Sequence, residues 1–111
     1  MEKEMVKTEV VPAMQLMPLV DILDGTEGVT MWFEIPGASA KDVSIEVHDG
    51  VMSMSAKSSL RRNGRAIEFK RSFRIADGVD PEKIQAKTQD GVLELHVPKS
   101  ERAKVHKIKV S

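Results

Sequence analysis

Histidine, serine and cysteine are the side chains that most often carry metal-binding or nucleophilic chemistry, and their pattern here supports neither. The histidines, His48, His96 and His106, lack the short spacings of metal ligands. A group of serines has no nearby histidine with an orienting acid, as a nucleophile would need: Ser53, Ser55, Ser58 and Ser59. The chain has no cysteine, and its seven glycines form no phosphate-binding loop. We therefore predict a protein that is not an enzyme and has no metal site and no cofactor.

Basic residues are concentrated in one stretch: Lys57, Arg61, Arg62, Arg65, Lys70, Arg71 and Arg74. Such a cluster can bind nucleic acid, but the chain has only three phenylalanines and one tryptophan to stack on bases. Residues 1–50 hold ten acidic and three basic residues, whereas residues 51–111 hold seven acidic and fourteen basic residues. This asymmetry favours pairing between copies of the chain, and we predict no nucleic-acid partner.

The N-terminal sequence carries charges where a signal peptide would have an apolar segment. The chain also lacks the run of about 18 apolar residues that a membrane-spanning helix needs. We therefore expect a cytoplasmic protein with no membrane partner.

Apolar and polar residues alternate over most of the chain, which is typical of strands buried on one face. Val29, Met31, Phe33 and Ile35 would share a face of one strand, which ends at Pro36. The same alternation groups four further sets: Val43, Ile45 and Val47; Met52, Met54 and Ala56; Ile67, Phe69, Arg71, Phe73 and Ile75; and Leu93, Leu95 and Val97.

Turn signals separate these strands at regular intervals. Asp49-Gly50 and Asp90-Gly91 suit the tight turns of β-hairpins, and Asn63-Gly64 marks another turn. Short strands with such spacing and no helical period indicate an all-β protein. We predict an immunoglobulin-like antiparallel β-sandwich over residues 18–98, with a short flexible segment at each end.

The segment before the sandwich, residues 1–17, sets apolar residues among charges: Met5, Val6, Val10, Val11, Met14, Leu16 and Met17. Pro12 would interrupt a helix here, so we expect a mobile arm. This arm is either a disordered terminus or an apolar surface that adapts to partner proteins, because methionine is flexible.

Residues 99–111 form a charged extension that ends with two β-branched residues, Ile108 and Val110. In an extended segment their side chains point the same way, which suits two adjacent pockets at a sheet edge. The spacing alone does not separate such docking from chance.

Arg71 interrupts an apolar strand face between Phe69 and Phe73. A guanidinium cannot be buried there alone, because an unpaired buried charge costs several kcal/mol. It therefore needs a carboxylate or a subunit interface, unless the strand lies near a sheet edge where Arg71 reaches water.

From about Pro18 to Val110 the sequence resembles the alpha-crystallin small heat-shock family. Phe33-Glu-Ile-Pro-Gly-Ala resembles the family's Pro-Gly turn, and Phe69-Lys-Arg-Ser-Phe-Arg-Ile resembles its F-x-R-x-F-x-(L/I) strand. The most specific stretch runs from Ile84 to Lys99 and is similar to the signature A-x-x-x-x-G-V-L ending in Pro-Lys. These motifs occur in the family's order and at its spacings.

The resemblance implies a chaperone that holds unfolding client proteins without ATP, works as a dimer or larger homo-oligomer, and protects under heat or other stress. Ile108-Lys109-Val110 resembles the family's I-x-(I/V) motif, which docks into a groove on a neighbouring subunit. That groove, open to tail or client, would be formed by Val43, Ile45, Val47, Ile84, Ala86 and Thr88. The resemblance also implies a subunit interface with ion pairs at Arg71, beside Phe69 and Phe73.

Three departures from the family affect how the chain would assemble. Residues 57–66 replace a longer loop whose strand is exchanged between subunits in bacterial and plant members. The dimer would instead pair edge to edge through a hairpin over residues 60–74, or be weak. The arm is also short, and Ala76 stands where the family usually has proline.

Three other functions fit a sandwich of this kind. A co-chaperone of the CS-domain type would recruit a folded chaperone, but its members lack the A-x-x-x-x-G-V-L signature and a docking tail. The others are a passive structural protein and a single-strand nucleic-acid binder that uses the basic stretch.

Overall fold

The computed structural model describes residues 11–100 and 107–111, which form two four-stranded sheets. Sheet A has the order β1-β6-β5-β4, and sheet B has the order β2-β3-β8-β7. The strands are β1 Met14–Leu16, β2 Val20–Asp24, β3 Gly28–Glu34, β4 Val43–His48, β5 Val51–Arg62, β6 Arg65–Arg74, β7 Gln85–Gln89 and β8 Val92–Pro98. In this part of the chain the only helical elements are two 3₁₀ turns, Ala40–Asp42 and Pro81–Lys83. The predicted all-β sandwich is confirmed.

Three two-residue turns build the hairpins, as the sequence predicted. Asp49 and Gly50 join β4 to β5, with φ angles of 51° and 76°. Asn63-Gly64 and Asp90-Gly91 adopt nearly the same angles between β5 and β6 and between β7 and β8. Positive φ at both positions matches the right-handed twist of the flanking strands, which explains the Asx-Gly pairs.

The core lies between the sheets and is filled by the alternating apolar faces. Its buried side chains are Met31, Phe33, Ile35, Ala38, Met52, Met54, Ala56, Ile67, Phe69, Leu93, Leu95 and Val97. Val43, Ile45 and Val47 pack against this core from β4 while remaining half-buried. The strand faces that the period of two predicted are therefore the faces that the sandwich buries.

The hairpin of β5 and β6 extends beyond the rest of sheet A. β4 pairs with β5 only as far as Ala56, and from residue 61 onward β5 pairs only with β6. Ser59 and Leu60 have no counterpart on β6, so the register shifts there. Such bulges bend a strand and increase its local twist. In this chain the residues that would make an exchanged loop strand form the tip of a hairpin.

The turn at Pro36-Gly37 fixes this bulge. The Ser58 hydroxyl donates to the Pro36 carbonyl at 2.7 Å and accepts from the Leu60 amide at 3.0 Å. The Ser59 amide donates to the Gly37 carbonyl at 2.9 Å. Gly37 has φ of +85°, and a Cβ there would meet the Ser58 hydroxyl and lie 2.9 Å from Leu60 Cγ. Glycine is therefore needed at residue 37 for both its backbone angle and its lack of a side chain.

The first strand begins inside the segment that we predicted to be a mobile arm. Met14–Leu16 pairs in parallel with Ile67–Phe69 of β6, and Leu16 packs against the core. Backbone pairing with the free edge of β6 explains this difference, since the apolar pattern of three residues is too short to predict a strand. Met5, Val6 and Val10 lie outside the described residues.

Replacing Gly37 by alanine should destabilise the fold more than the same change at Gly64. Both positions have positive φ, which costs an alanine about 1–2 kcal/mol, but a Cβ at Gly64 meets no atom within 4 Å. At Gly37 the added methyl group would displace the bonded Ser58 and Leu60, at a further cost of about 1–3 kcal/mol. Urea unfolding of both variants measures the difference. Equal losses would show that the Pro36-Gly37 turn does not hold the bulge.

Candidate docking site at the edges of the sheets

A cleft opens where the last strands of the two sheets, β4 and β7, lie side by side. Its volume is about 180 Å³. The lining residues are Ala40, Val43 and Ile45 on the sheet A side and Ala86, Lys87, Thr88 and Leu93 on the sheet B side. The cleft lining is therefore mainly aliphatic and includes one lysine, Lys87.

Four of the six residues predicted for the groove line this cleft: Val43, Ile45, Ala86 and Thr88. Val47 and Ile84 do not line it and pack half-buried against the core. Val47 lies near the end of β4, and Ile84 directly precedes β7, so both lie past the ends of the cleft. Docking of a tail or client in the cleft stays a prediction.

A capped turn sets the start of β4 and so the position of Val43. Asp42 Oδ2 accepts hydrogen bonds of 2.9 Å from both the backbone amide and the hydroxyl of Ser39. The Asp42 amide donates back to the Ser39 carbonyl at 2.9 Å. The backbone bond from Ser39 lowers the pKa of Asp42 most, followed by the Ser39 hydroxyl, because both stabilise the carboxylate.

The two tail residues predicted to dock are exposed. Ile108 is 87% exposed and Val110 is 88% exposed. The structure therefore does not place either side chain in the cleft of its own subunit. Covering such exposed aliphatic side chains with a partner surface lowers the free energy, because apolar surface is removed from water.

Arg71 has two partners within its own subunit. Its Nη1 donates to the Pro18 carbonyl at 3.0 Å, and its guanidinium carbon lies 5.2 Å from the centre of the Phe73 ring. No carboxylate within residues 11–100 and 107–111 forms a salt bridge with Arg71. The half-buried guanidinium thus links β6 to the segment before β2, and an acidic partner stays a prediction.

The aromatic neighbours of Arg71 belong to the core of the subunit. Phe69 is 7% exposed, and Phe73 packs edge-on against Phe33 with ring centres 5.7 Å apart. Phe69 therefore has almost no surface for a second subunit, since the alternation of β6 turns it toward sheet B. An interface at Arg71 would use the edge of β6 rather than this ring.

The described residues of the arm differ in exposure. Val11 is 66% exposed and Met17 is 72% exposed, whereas Met14 and Leu16 are half-buried in β1. Only Val11 and Met17 are therefore available as the predicted client-contact residues in this part of the arm.

An exposed apolar edge that we did not predict as a site follows directly from Met17. Leu19, Ile22 and Leu23 are 70%, 54% and 60% exposed on and before β2. β2 is an outer strand of sheet B, and within residues 11–100 and 107–111 it pairs only with β3. The sequence signal was the adjacent pair Ile22-Leu23, which breaks the alternation and puts aliphatic side chains on both faces.

Two of the histidines have ordinary polar contacts. His96 lies with its Nδ1 3.0 Å from the Thr30 hydroxyl, and exposed His48 lies 3.2 Å from the Asp49 carboxylate. Among the described residues no three histidine or acidic side chains are placed to share a metal ion. In the same part of the chain no helix is long and apolar enough to cross a membrane.

Comparison with known proteins identifies one family. The model of the Hsp20/alpha crystallin family matches residues 21–111. A probable 15 kDa heat shock protein of Leptospira interrogans is 33% identical over 92 residues, which cover 76% of this chain and 71% of the relative. The 18 kDa antigen 2 of Mycobacterium avium is 30% identical over 104 residues, covering 86% of this chain and 75% of the relative.

Solved structures agree with the fold. The hspA structure from Xanthomonas axonopodis superposes with a TM-score of 0.66 at 25% identity, covering 78% of this chain and 96% of that chain. A small heat-shock protein from Xylella fastidiosa superposes with a TM-score of 0.67 at 23% identity, covering 88% and 99%. At this level of identity the second structure supports the sandwich fold alone.

Replacing Ser39 by alanine should raise the pKa of Asp42 while leaving it below its ordinary value of 3.8, because the hydroxyl bond is lost and the backbone bond remains. A pKa that is depressed in the folded state gives stability that is present above the unfolded pKa and lost as pH falls through the folded pKa. Carboxyl NMR titration measures the change, with Ser44→Ala as the control on the outer face of β4. Identical Asp42 titrations in wild type and Ser39→Ala would contradict the capped turn.

Proposed function

This chain belongs to the Hsp20/alpha crystallin family of small heat-shock proteins, and we propose that it is an ATP-independent holdase of the cytoplasm. In this proposal it binds unfolding proteins under heat or other stress and keeps them from aggregating. The family consists of chaperones and not of enzymes. The proposed working form is a homo-oligomer, in which copies of the chain hold one another through their tails.

The observation that supports this most is the match between the exposed tail and the cleft. Ile108 and Val110 are two residues apart, so their side chains project on one side of an extended segment about 6.6 Å apart. The cleft between β4 and β7 offers aliphatic walls over Val43 and Ile45. A tail from a second subunit would bury both side chains there, with about 1.5–3 kcal/mol for each if fully buried.

Tail and client would compete for this cleft. An unfolding protein exposes extended segments with apolar side chains, and such segments have the chemistry of the tail itself. Heating exposes more client segments, so more clefts would exchange tail for client. This competition would regulate capture without ATP.

The edge of β2 supplies a second surface for clients. Leu19, Ile22 and Leu23 are exposed on and before β2, which is an outer strand of sheet B. An extended client segment could add to this edge through main-chain hydrogen bonds, with apolar contacts alongside. Met17 and the arm before it would extend the same surface.

The basic hairpin tip gives little support to nucleic-acid binding. Arg61 Nη1 donates to the Gly64 carbonyl at 3.2 Å, and Arg65 Nη2 donates to the Pro12 carbonyl at 3.0 Å. These guanidinium groups thus hold their own hairpin and the arm. No aromatic side chain of the chain lies between residues 51 and 68 to stack on bases.

The wild-type chain should suppress the light scattering of a heat-labile enzyme without ATP, and an Ile108→Ala/Val110→Ala variant should respond differently. Losing about 1.5 kcal/mol at each position weakens tail docking by about 100-fold. Assembly size, measured by light scattering after gel filtration, should therefore fall. Lys107→Ala/Lys109→Ala is the matched control, since it changes the same tail without removing an apolar anchor.

Each outcome of this test decides a separate point. No suppression by the wild type at any ratio would refute the holdase and favour a co-chaperone or structural role. Suppression with unchanged assembly size in the Ile108→Ala/Val110→Ala variant would keep the holdase but exclude the tail from assembly.

Replacing Arg71 by alanine should lower both subunit stability and the dimer fraction. The bond to Pro18 is charge-assisted and contributes about 1.5–3 kcal/mol, and stacking on Phe73 adds about 0.5–1 kcal/mol. Urea unfolding measures stability, and sedimentation velocity measures the dimer fraction. Exposed Arg62→Ala is the control at the hairpin tip. A normal dimer fraction with lowered stability would confine Arg71 to its own subunit.

A further inference from the structure

The outer edge of β6 is covered by a short segment of the same chain, residues 11–17, which we call the strap. Only Met14–Leu16 of the strap pairs with β6, and the pairing is parallel. Parallel pairing is slightly less stable per residue than antiparallel pairing. A strand of ten residues is therefore covered along its edge by a short, weak ladder.

The two ends of the strap are held differently. At the end next to β2, Pro18 is buried and its carbonyl accepts the 3.0 Å hydrogen bond from Arg71. At the other end, Val11 is 66% exposed. Pro12 there is also exposed, and its carbonyl accepts a 3.0 Å bond from the Arg65 side chain. The strap is therefore anchored at Pro18 and opens from its exposed end, since segments with few buried contacts open most readily.

Leu16 is the apolar anchor of the strap. Its side chain packs against the buried core, whereas Gln15 and Met17 are exposed. Gln15 points to the opposite face of β1, because side chains alternate along a strand. Residue 16 can therefore be changed to loosen the strap, and residue 15 can be changed without loosening it.

The edge under the strap is self-complementary in charge. When two copies of an edge strand pair antiparallel about a two-fold axis, residue i faces residue j and j faces i. With the axis at Phe69, Glu68 of each copy faces Lys70 of the other, which gives two opposite-charge pairs. An axis at Lys70 or at Arg71 would place that cation opposite its own copy, and like charges directly opposite are destabilising.

We propose that the edge of β6 is an interface for a second copy of this chain, and that the strap must leave this edge before two copies can pair. In the paired form the two β6 strands run antiparallel about Phe69, and the two copies of sheet A become one continuous sheet. Pro18 stays bonded to Arg71 as the hinge of the strap. The interface is separate from the β4–β7 cleft and does not depend on tail docking or on holdase activity.

The strap makes pairing depend on both copies. A tethered strap has a high effective concentration at β6, so the closed form dominates in dilute protein. The apparent affinity falls with the fraction of each copy that is open, and both copies must be open. While the closed form dominates, loosening the strap by about tenfold therefore tightens the dimer by about 100-fold.

Replacing Leu16 by serine tests the strap. The full chain carries Ile108→Ala/Val110→Ala throughout, which weakens the proposed tail contacts, and sedimentation velocity gives the dimer Kd. Losing the apolar contacts of Leu16 should loosen the strap by about tenfold and lower the dimer Kd by about 100-fold. Gln15→Ser is the matched control on the exposed face of the same strand and should leave the Kd unchanged.

Charge exchange tests the register in the Leu16→Ser chain. Glu68→Lys and Lys70→Glu each place like charges opposite one another twice, so each variant alone should dimerise at least about tenfold more weakly. An equimolar mixture of the two variants should recover the affinity, because both pairs then have opposite charges. Recovery would also show that both variants are folded.

A dimer Kd in Leu16→Ser that is equal to or higher than that of Gln15→Ser would overturn the proposal, and so would the absence of dimers from both. Charge variants that dimerise like their parent, or a mixture that does not recover, would exclude the pairing of β6 about Phe69. None of these measurements uses a client protein, so a failure of the holdase proposal would leave their outcomes unchanged.

Discussion

The two sheets of this sandwich have apolar faces that are buried against each other, and this burial leaves the outer strands open. β4 and β7 end their sheets on one side, and β2 ends sheet B on the other. Open strands expose backbone groups and the apolar side chains that the core does not fully cover. The cleft and the exposed apolar edge both lie at these strands. Burial of the two apolar faces thus leaves the outer strands as the surfaces that a partner protein could contact.

Polar contacts fix the positions of strands and turns near these edges. A capped turn at Ser39 and Asp42 fixes the start of β4, so the cleft keeps its shape. Arg71 donates to the Pro18 carbonyl and so connects β6 of sheet A to the segment that leads into β2 of sheet B. The bulge at Ser59 and Leu60 is bonded to the Pro36-Gly37 turn and directs the hairpin tip beyond sheet A. These polar contacts position surfaces that the hydrophobic core alone would leave undefined.

Residues placed by the alternation of a strand could be predicted from the sequence, and residues placed by contacts between the sheets could not. Val43, Ile45, Ala86 and Thr88 were grouped by alternation and by the family resemblance, and these four residues line the cleft, whereas docking there stays a prediction. Val47 and Ile84 share that alternation but lie beyond the cleft, because its length depends on how the two sheets pack. Phe69 and Arg71 occupy the same strand face, yet one is in the core and the other bonds a carbonyl 53 residues away in sequence. No local pattern contains a contact of that kind.

By itself, the sequence determined the local geometry of this protein: strand faces from a period of two, hairpins from Asx-Gly turns, and a tail whose two β-branched residues are two positions apart. These features depend on neighbours a few residues apart, which is why they can be read along the chain. Tertiary structure alone decided the pairing of β1 with β6, the partner of Arg71, the exposed edge of β2 and the cleft between β4 and β7. The first and third depend on the order of strands within each sheet, and the others depend on how the two sheets pack, which involves the whole core.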